Sequence, residues 1–232
     1  MDVEAAKRAA GEAAGELLED GMTLGLGTGS TAKWFIAAVG RRVRAGMRLR
    51  GVATSRASED LAREEGITVV ELDATGVDLA VDGADAVDRR LRLIKGAGAA
   101  LVREKIVAAA ARRFVVVVDD AKLRDPLGGL LPVELVPFGH RAALGHLGAL
   151  GASFRLRLDA AGRPLVSDNG NLIADGDLPV IEDPEGLGAS IDAIPGVVGH
   201  GLFCGMTDHV LVAGRDGSVE RLSVPGSHVR TG

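Results

Sequence analysis

Apolar and polar positions along the chain switch repeatedly between a helical period and short, continuous apolar runs. Residues 2–19 carry apolar positions at helical spacing and stop at Asp20-Gly21, which predicts an amphipathic helix. A short apolar run at 22–26 follows, then a Gly/Thr/Ser turn and a helix from about residue 31 to 42. The alternation continues with a strand at 48–54, a helix at 56–65 closed by Gly66, and strands at 67–72 and 77–81. After Gly98 the chain is Ala-rich and free of Gly and Pro as far as Arg113, so a helix is predicted to propagate there. Residues 113–118 (RFVVVV) are nearly all β-branched and apolar, as a central parallel strand requires. Strands alternating with helices in this way predict a parallel α/β sheet.

The pattern changes at Leu127-Gly128-Gly129. A strand at 131–137, a helix at 140–150, an alternating strand at 153–158, a turn at 159–163, a short strand at 172–174, a helix at 185–193 and a strand at 197–203 reproduce a split βαβ, ferredoxin-like order. Short strands at 209–212 and 219–224 then rejoin the first sheet. The fold expected is α/β: a Rossmann-like parallel-sheet domain from residues 1–130 plus 205–232, with a smaller ferredoxin-like α+β domain, 131–204, inserted near the C-terminus.

Charge narrows the function classes. The 232-residue chain has a formal net charge of −5 and no Lys/Arg run longer than two, which argues against a nucleic-acid surface. A single cysteine, Cys204 in GLFCGM, excludes an internal disulfide, suits a reducing compartment and reads as a small buried hydrophobe. No apolar stretch approaches the roughly 20 residues of a membrane span, and the first helix lacks a signal-type core. The expectation is a soluble, cytoplasmic protein that binds no membrane. The five histidines (His140, His146, His200, His209, His228) are scattered and form no ligand pair, so no metal site is expected. Trp34, beside Phe35, reads as core, and Ser167 to Asn171 as a hairpin loop.

Chemistry concentrates in residues 77–111. An apolar run ends in Asp82 and Asp85, at the carboxyl end of a strand, where open α/β sheets place their ligands. Lys95 then precedes a Gly/Ala loop (Gly96, Ala97, Gly98), and Glu104 follows on a helix. Leu101, Val107 and Ala108 fall on the face of Glu104, which puts a carboxylate on an apolar stripe, where burial favours a general base. The alternative is a solvated Glu paired with Arg103 or Lys105. Only five of the 27 basic residues are Lys, and two of them, Lys95 and Lys122, stand beside Gly-rich or acidic turns that suit a compact ammonium.

The earlier turn, GLGTGST at 25–31, joins a strand to a helix amino terminus, where unpaired N–H groups and the helix dipole form an anion cradle. Thr28, Ser30 and Thr31 add hydroxyls. Ser30 stands where a dinucleotide fingerprint needs its third glycine, and no triphosphate P-loop is present, which leaves a monophosphate or an ordinary tight turn with a Ser/Thr cap.

Together, GLGTGST, DGAD at 82–85, KGAGAALVREKIV at 95–107, DDAK at 119–122, PVELVPF at 132–138, DNGN at 168–171 and IDAIPGVVGHGLF at 191–203 resemble the ribose-5-phosphate isomerase A family in its own order over nearly the whole chain. The resemblance implies interconversion of ribose 5-phosphate and ribulose 5-phosphate in the non-oxidative pentose phosphate pathway, with no redox cofactor. It implies Glu104 as base, Asp82, Asp85 and Lys95 as further catalytic groups, and substrate contacts from Thr28, Gly29, Ser30, Thr31, Gly83, Ala84, Gly96, Ala97, Gly98 and Lys122. It also implies a homodimer or homotetramer whose partner molecule is a small pentose phosphate. Two positions depart from the family's usual pattern: Ala97 stands for a glycine and Ala86 for an acid. A methyl at 97 crowds the loop if that residue needs positive φ. A different sugar-phosphate enzyme on the same scaffold, or a sugar-phosphate sensor, is the rival reading.

Overall fold

The computed structural model describes residues 2–223. In chain order the elements are α1 (Val3–Gly15), β1 (Thr23–Leu26), α2 (Ala32–Arg44), β2 (Arg50–Ala53), α3 (Arg56–Glu64), β3 (Thr68–Val69), β4 (Val77–Asp82), β5 (Ala86–Val87), β6 (Leu93–Ile94), α4 (Leu101–Ala109), β7 (Ala111–Asp119) and β8 (Gly129–Leu135). Then come α5 (His140–Gly148), β9 (Phe154–Leu156), β10 (Leu172–Leu178), α6 (Pro184–Asp192), β11 (Val197–His200), β12 (Leu202–Phe203), β13 (His209–Ala213) and β14 (Val219–Leu222). The chain divides into two compact units, one holding Met1–Ala84, Arg103–Leu123 and the chain from Gly205, the other Asp85–Val102 and Arg124–Cys204.

The first unit is built on a seven-stranded sheet of order β14-β13-β7-β4-β1-β2-β3, parallel except for β14. Val115 to Val118 of β7 are all buried, as expected of an interior parallel strand covered on both faces. Leu24, Leu26, Phe35, Ile36, Leu79, Val81, Val115 and Val117 form the core. Asp2 caps α1 by accepting the Ala5 N–H at 2.8 Å, and Ser55 caps α3 by accepting the Ser58 N–H at 3.1 Å.

The second unit carries a four-stranded antiparallel sheet of order β11-β8-β10-β9. Numbered within the module this is 4-1-3-2, with α5 and α6 as its two crossovers, the ferredoxin-like arrangement that the pattern predicts. A separate three-stranded sheet, β12-β6-β5, completes this unit.

Several sequence expectations differ from the structure. Residues 85–102 and 124–130, assigned from sequence to the larger domain, belong to the second unit, because β5 and β6 pair with each other and β6 with β12, and Ala86, Ile94 and Leu127 lie in that unit's core. The helix after Gly98 ends at Ala109 rather than near Arg113; Ala111 to Arg113 are taken into β7 by pairing with β4. The expected strand at 197–203 is broken at Gly201, where an added Cβ would lie 2.2 Å from the Lys95 carbonyl oxygen. Trp34 is half-buried rather than core, with Arg8 and Lys33 over its ring at 5.6 and 5.0 Å. Cys204 is also half-buried. Val224 and His228 lie outside the described residues.

Candidate active site

In the first unit, β1 and β4 are neighbours and both end at the same edge of the sheet, which sets the glycine turn after β1 beside Asp82. Asp82, 3% exposed, accepts the Thr28 N–H at 2.9 Å and the Gly83 N–H at 2.7 Å through Oδ1. The close approach requires glycine at position 27, where an added Cβ would lie 2.3 Å from Asp82 Oδ1. Gly29 adopts φ +110°. No backbone acceptor among the described residues takes the N–H groups of Ser30 or Thr31 ahead of α2, which leaves them available to an anion.

The hydroxyls of this turn divide their work. Thr28 Oγ1 joins a cluster, 2.7 Å from Thr54 Oγ1, 2.8 Å from Ser55 Oγ and 3.0 Å from Ser58 Oγ. Ser58 Oγ donates to the Gly27 carbonyl at 2.7 Å and Thr54 Oγ1 to the Leu26 carbonyl at 3.1 Å, so the cluster braces the turn from behind. Ser30 is exposed, and Thr31 precedes α2 without making a side-chain cap.

Glu104 lies in the first turn of α4 and is 4% exposed. Its neighbours on the helix face, Leu101, Val107 and Ala108, are buried with it. Of the two sequence readings, the buried carboxylate is the one found. The helix packs on the sheet through Val107, whose Cγ1 would be 2.5 Å from a Cβ on Gly25 of β1. Lys122 ends a 3-10 turn directly after β7, shaped by Asp119, whose side chain accepts the Ala121 N–H at 3.1 Å.

In the second unit, Lys95 follows β6 and is 2% exposed, its Nζ 5.5 Å from the centroid of the Phe203 ring. Its N–H donates to the Gly201 carbonyl at 2.8 Å. Gly96 adopts φ +111°, and Asp85 Oδ2 accepts the Ala97 N–H at 2.9 Å, so Asp85 and the loop after Lys95 are brought together. The methyl at position 97 causes no strain: the non-glycine residue at positive φ in this loop is Ala99, at +59°, and Ala97 is exposed. Ala86, 3% exposed, packs in the apolar core of this unit, where a methyl costs less than an acid would.

Two features escape sequence reasoning. Glu134, fully buried in β8, accepts hydrogen bonds from Ser167 Oγ, Asn169 Nδ2 and Asn171 Nδ2 at 2.9, 3.0 and 2.8 Å, so the 167–171 hairpin is anchored rather than merely a turn. Arg157 donates to the Ala97 carbonyl at 2.8 Å and the Gly96 carbonyl at 3.1 Å. Nothing in FRLRL distinguishes that arginine from Arg155; only its hydrogen bonds to Asp175 and to the 96–97 carbonyls do. No group of three or more His, Cys, Asp or Glu with metal-binding geometry occurs among the described residues, and no described helix is long and apolar enough to cross a membrane.

Residues 50–217 match the family model of ribose 5-phosphate isomerase A (phosphoriboisomerase A). The chain is 50% identical over 225 residues to ribose-5-phosphate isomerase A of Roseiflexus castenholzii, covering 95% of this chain and 96% of the relative. It is 49% identical over 229 residues to that of Methylorubrum extorquens, covering 95% and 97%. Among solved structures, ribose 5-phosphate isomerase A from Methanocaldococcus jannaschii superposes with a TM-score of 0.90 at 40% identity, over 94% of this chain and 98% of the other. A D-ribose-5-phosphate isomerase in complex with phospho-erythronic acid gives 0.93 at 40% identity, over 97% and 100%. With the family model matched over residues 50–217 and relatives about half identical over 95% of its length, the chain belongs to the ribose 5-phosphate isomerase A family.

Proposed function

We propose that this chain interconverts D-ribose 5-phosphate and D-ribulose 5-phosphate through an enediolate, with Glu104 carrying the proton between carbons. The observation that supports the base assignment is a carboxylate 4% exposed on an otherwise apolar helix face, in a family named as an isomerase of ribose 5-phosphate.

The reaction sets the tasks. The furanose ring must open, a proton must leave C2 and return at C1, and the negative charge on the enediolate oxygens must be stabilised between those events. Glu104 takes the C2 proton and delivers it to C1. Lys95, an ammonium withdrawn from solvent, stabilises the oxyanion together with N–H groups of the 96–98 loop, where a fixed charge out of water is worth most. Asp82 and Asp85 orient the sugar hydroxyls and assist ring opening. The phosphate rests on the Thr28 to Thr31 turn with Gly83, Ala84 and Lys122 as further substrate contacts, so that binding energy gained at the phosphate is spent on positioning the far end of the sugar. Each of these steps is proton transfer or electrostatic stabilisation and draws on no redox cofactor. We place the enzyme in the cytoplasm as a homodimer or homotetramer, on the strength of the family resemblance.

Turnover in deuterated water tests the proton path. Deuterium found at C1 of ribulose 5-phosphate supports an exchanging base, whereas no deuterium at C1 together with undiminished turnover by Glu104→Gln, as a hydride shift from C2 to C1 requires, overturns the assignment.

A further inference from the structure

The Gly96–Ala97 peptide is held at both ends. Its N–H donates to Asp85 Oδ2 at 2.9 Å, and its carbonyl accepts from Arg157 Nη1 at 3.1 Å. The next carbonyl, that of Ala97, accepts from the same nitrogen at 2.8 Å. A trans peptide is planar and its N–H and C=O point opposite ways, so fixing two consecutive carbonyls on one guanidinium fixes the direction of the Ala97 and Gly98 N–H groups.

The guanidinium is itself held. Arg157 Nε and Nη2 donate to Asp175 Oδ2 and Oδ1 at 2.7 and 2.5 Å, a bidentate pair whose side chains are 18% and 19% exposed. Asp175 lies in β10, where its register partner is Arg155, and Arg157 follows directly after β9, its N–H donating to the Ile173 carbonyl at 2.8 Å, so the pair is a diagonal one on one face of the sheet. A loop whose glycine adopts φ +111° is thus tied to the rigid part of the second unit through one side chain.

We propose that Arg157, oriented by Asp175, is a positioning residue for the isomerase reaction: it sets the 96–98 loop so that the loop's N–H groups hold the Asp85 carboxylate and meet the enediolate oxyanion. The charge of the guanidinium on the carbonyl side polarises the same peptides and strengthens their N–H donors. The pair therefore acts on the charged intermediate more than on bound substrate, and its loss lowers kcat with little change in KM. This inference rests on the isomerase reading given above.

The arrangement offers its own control. A cavity of about 470 Å³ in the second unit is lined by Asp85, Ala97, Arg124, Arg157 and Asp175 among others, and opens to solvent, so a small guanidinium ion can reach the space left by a truncated side chain.

The test compares wild type, Arg157→Ala, Arg157→Lys and Asp175→Asn in ribose 5-phosphate turnover, with inhibition by phospho-erythronate, whose carboxylate mimics the enediolate oxygens. Arg157→Ala is expected to lower kcat 30- to 300-fold with KM within threefold, and to weaken phospho-erythronate by a similar factor. Millimolar methylguanidinium restores at least fivefold of its kcat. Arg157→Lys, whose ammonium cannot keep the bidentate pair with Asp175 while bonding both carbonyls, keeps at most a tenth of wild-type kcat, and Asp175→Asn loses three- to tenfold. Wild-type turnover in the same assay reports on the isomerase reading separately. With an active wild type, Arg157→Lys at full kcat, or losses confined to KM with phospho-erythronate inhibition unchanged and no rescue, overturns the positioning role.

Discussion

The Thr28 N–H donates to Asp82 Oδ1 at 2.9 Å across 54 residues of sequence, tying the turn that follows β1 to the carboxylate that ends β4. Two motifs read separately from the sequence, the phosphate cradle and the acidic turn, are thereby one rigid piece. Parallel pairing of the two strands places their ends side by side, and glycine at position 27 removes the side chain that would keep them apart.

Gly27→Ala tests that joint. Its Cβ would stand 2.3 Å from Asp82 Oδ1 and 2.5 Å from Asp82 Cα, contacts that force the strand ends apart. The variant is expected to lose about 1–3 kcal/mol of stability, as over-packing of a tight site does. If the 28–31 turn holds the phosphate and Asp82 the sugar, as proposed, its kcat/KM falls at least 100-fold. Thermal unfolding and steady-state kinetics on the same sample check both figures.

Lys95→Met keeps the length of the side chain and removes its charge beside Phe203. If the ammonium stabilises the oxyanion, kcat falls about 100- to 1000-fold, the range typical of losing one preorganised donor to a developing charge. KM for ribose 5-phosphate changes only a few-fold. A variant with normal kcat and a raised KM would instead make Lys95 a ground-state contact.

The α/β alternation and the ferredoxin-like succession of elements were legible because each rests on a local period: apolar runs for interior strands and alternation for half-exposed ones; the three-to-four spacing put Glu104 on an apolar helix face but left burial and a surface pair equally open. What escaped depends on partners distant in sequence. β5 and β6 are two residues each, too short to show a period, and exist through pairing with each other and with β12, more than 100 residues on. Arg157 acquires its role from Asp175 and from the carbonyls of residues 96 and 97, none of which marks it in sequence. Trp34 misled because an indole beside Phe35 at helical spacing suggests core, whereas α1 brings Arg8 onto its ring.

His209 gives the fold a pH dependence of known sign. Partial burial, and next the Arg221 guanidinium that donates to its Nε2, hold its pKa below the ordinary 6.5. The folded chain therefore binds fewer protons at this position than the unfolded chain once pH drops below about 6.5, so acidification destabilises the fold through it. The melting temperature of wild type should fall more steeply between pH 7 and pH 5 than that of His209→Gln. Parallel curves would remove His209 from the account.

The most direct test of the central claim is conversion of ribose 5-phosphate to ribulose 5-phosphate by EDTA-treated protein, run beside Glu104→Gln. The substitution keeps the shape of a side chain that is 4% exposed and removes its basicity. Wild-type turnover that survives EDTA, with at least a 1000-fold loss of kcat in Glu104→Gln and retained ribose 5-phosphate binding, is the result predicted. Full activity in Glu104→Gln would contradict the base assignment, and ribose 5-phosphate binding without turnover in the wild type would contradict the isomerase reading itself.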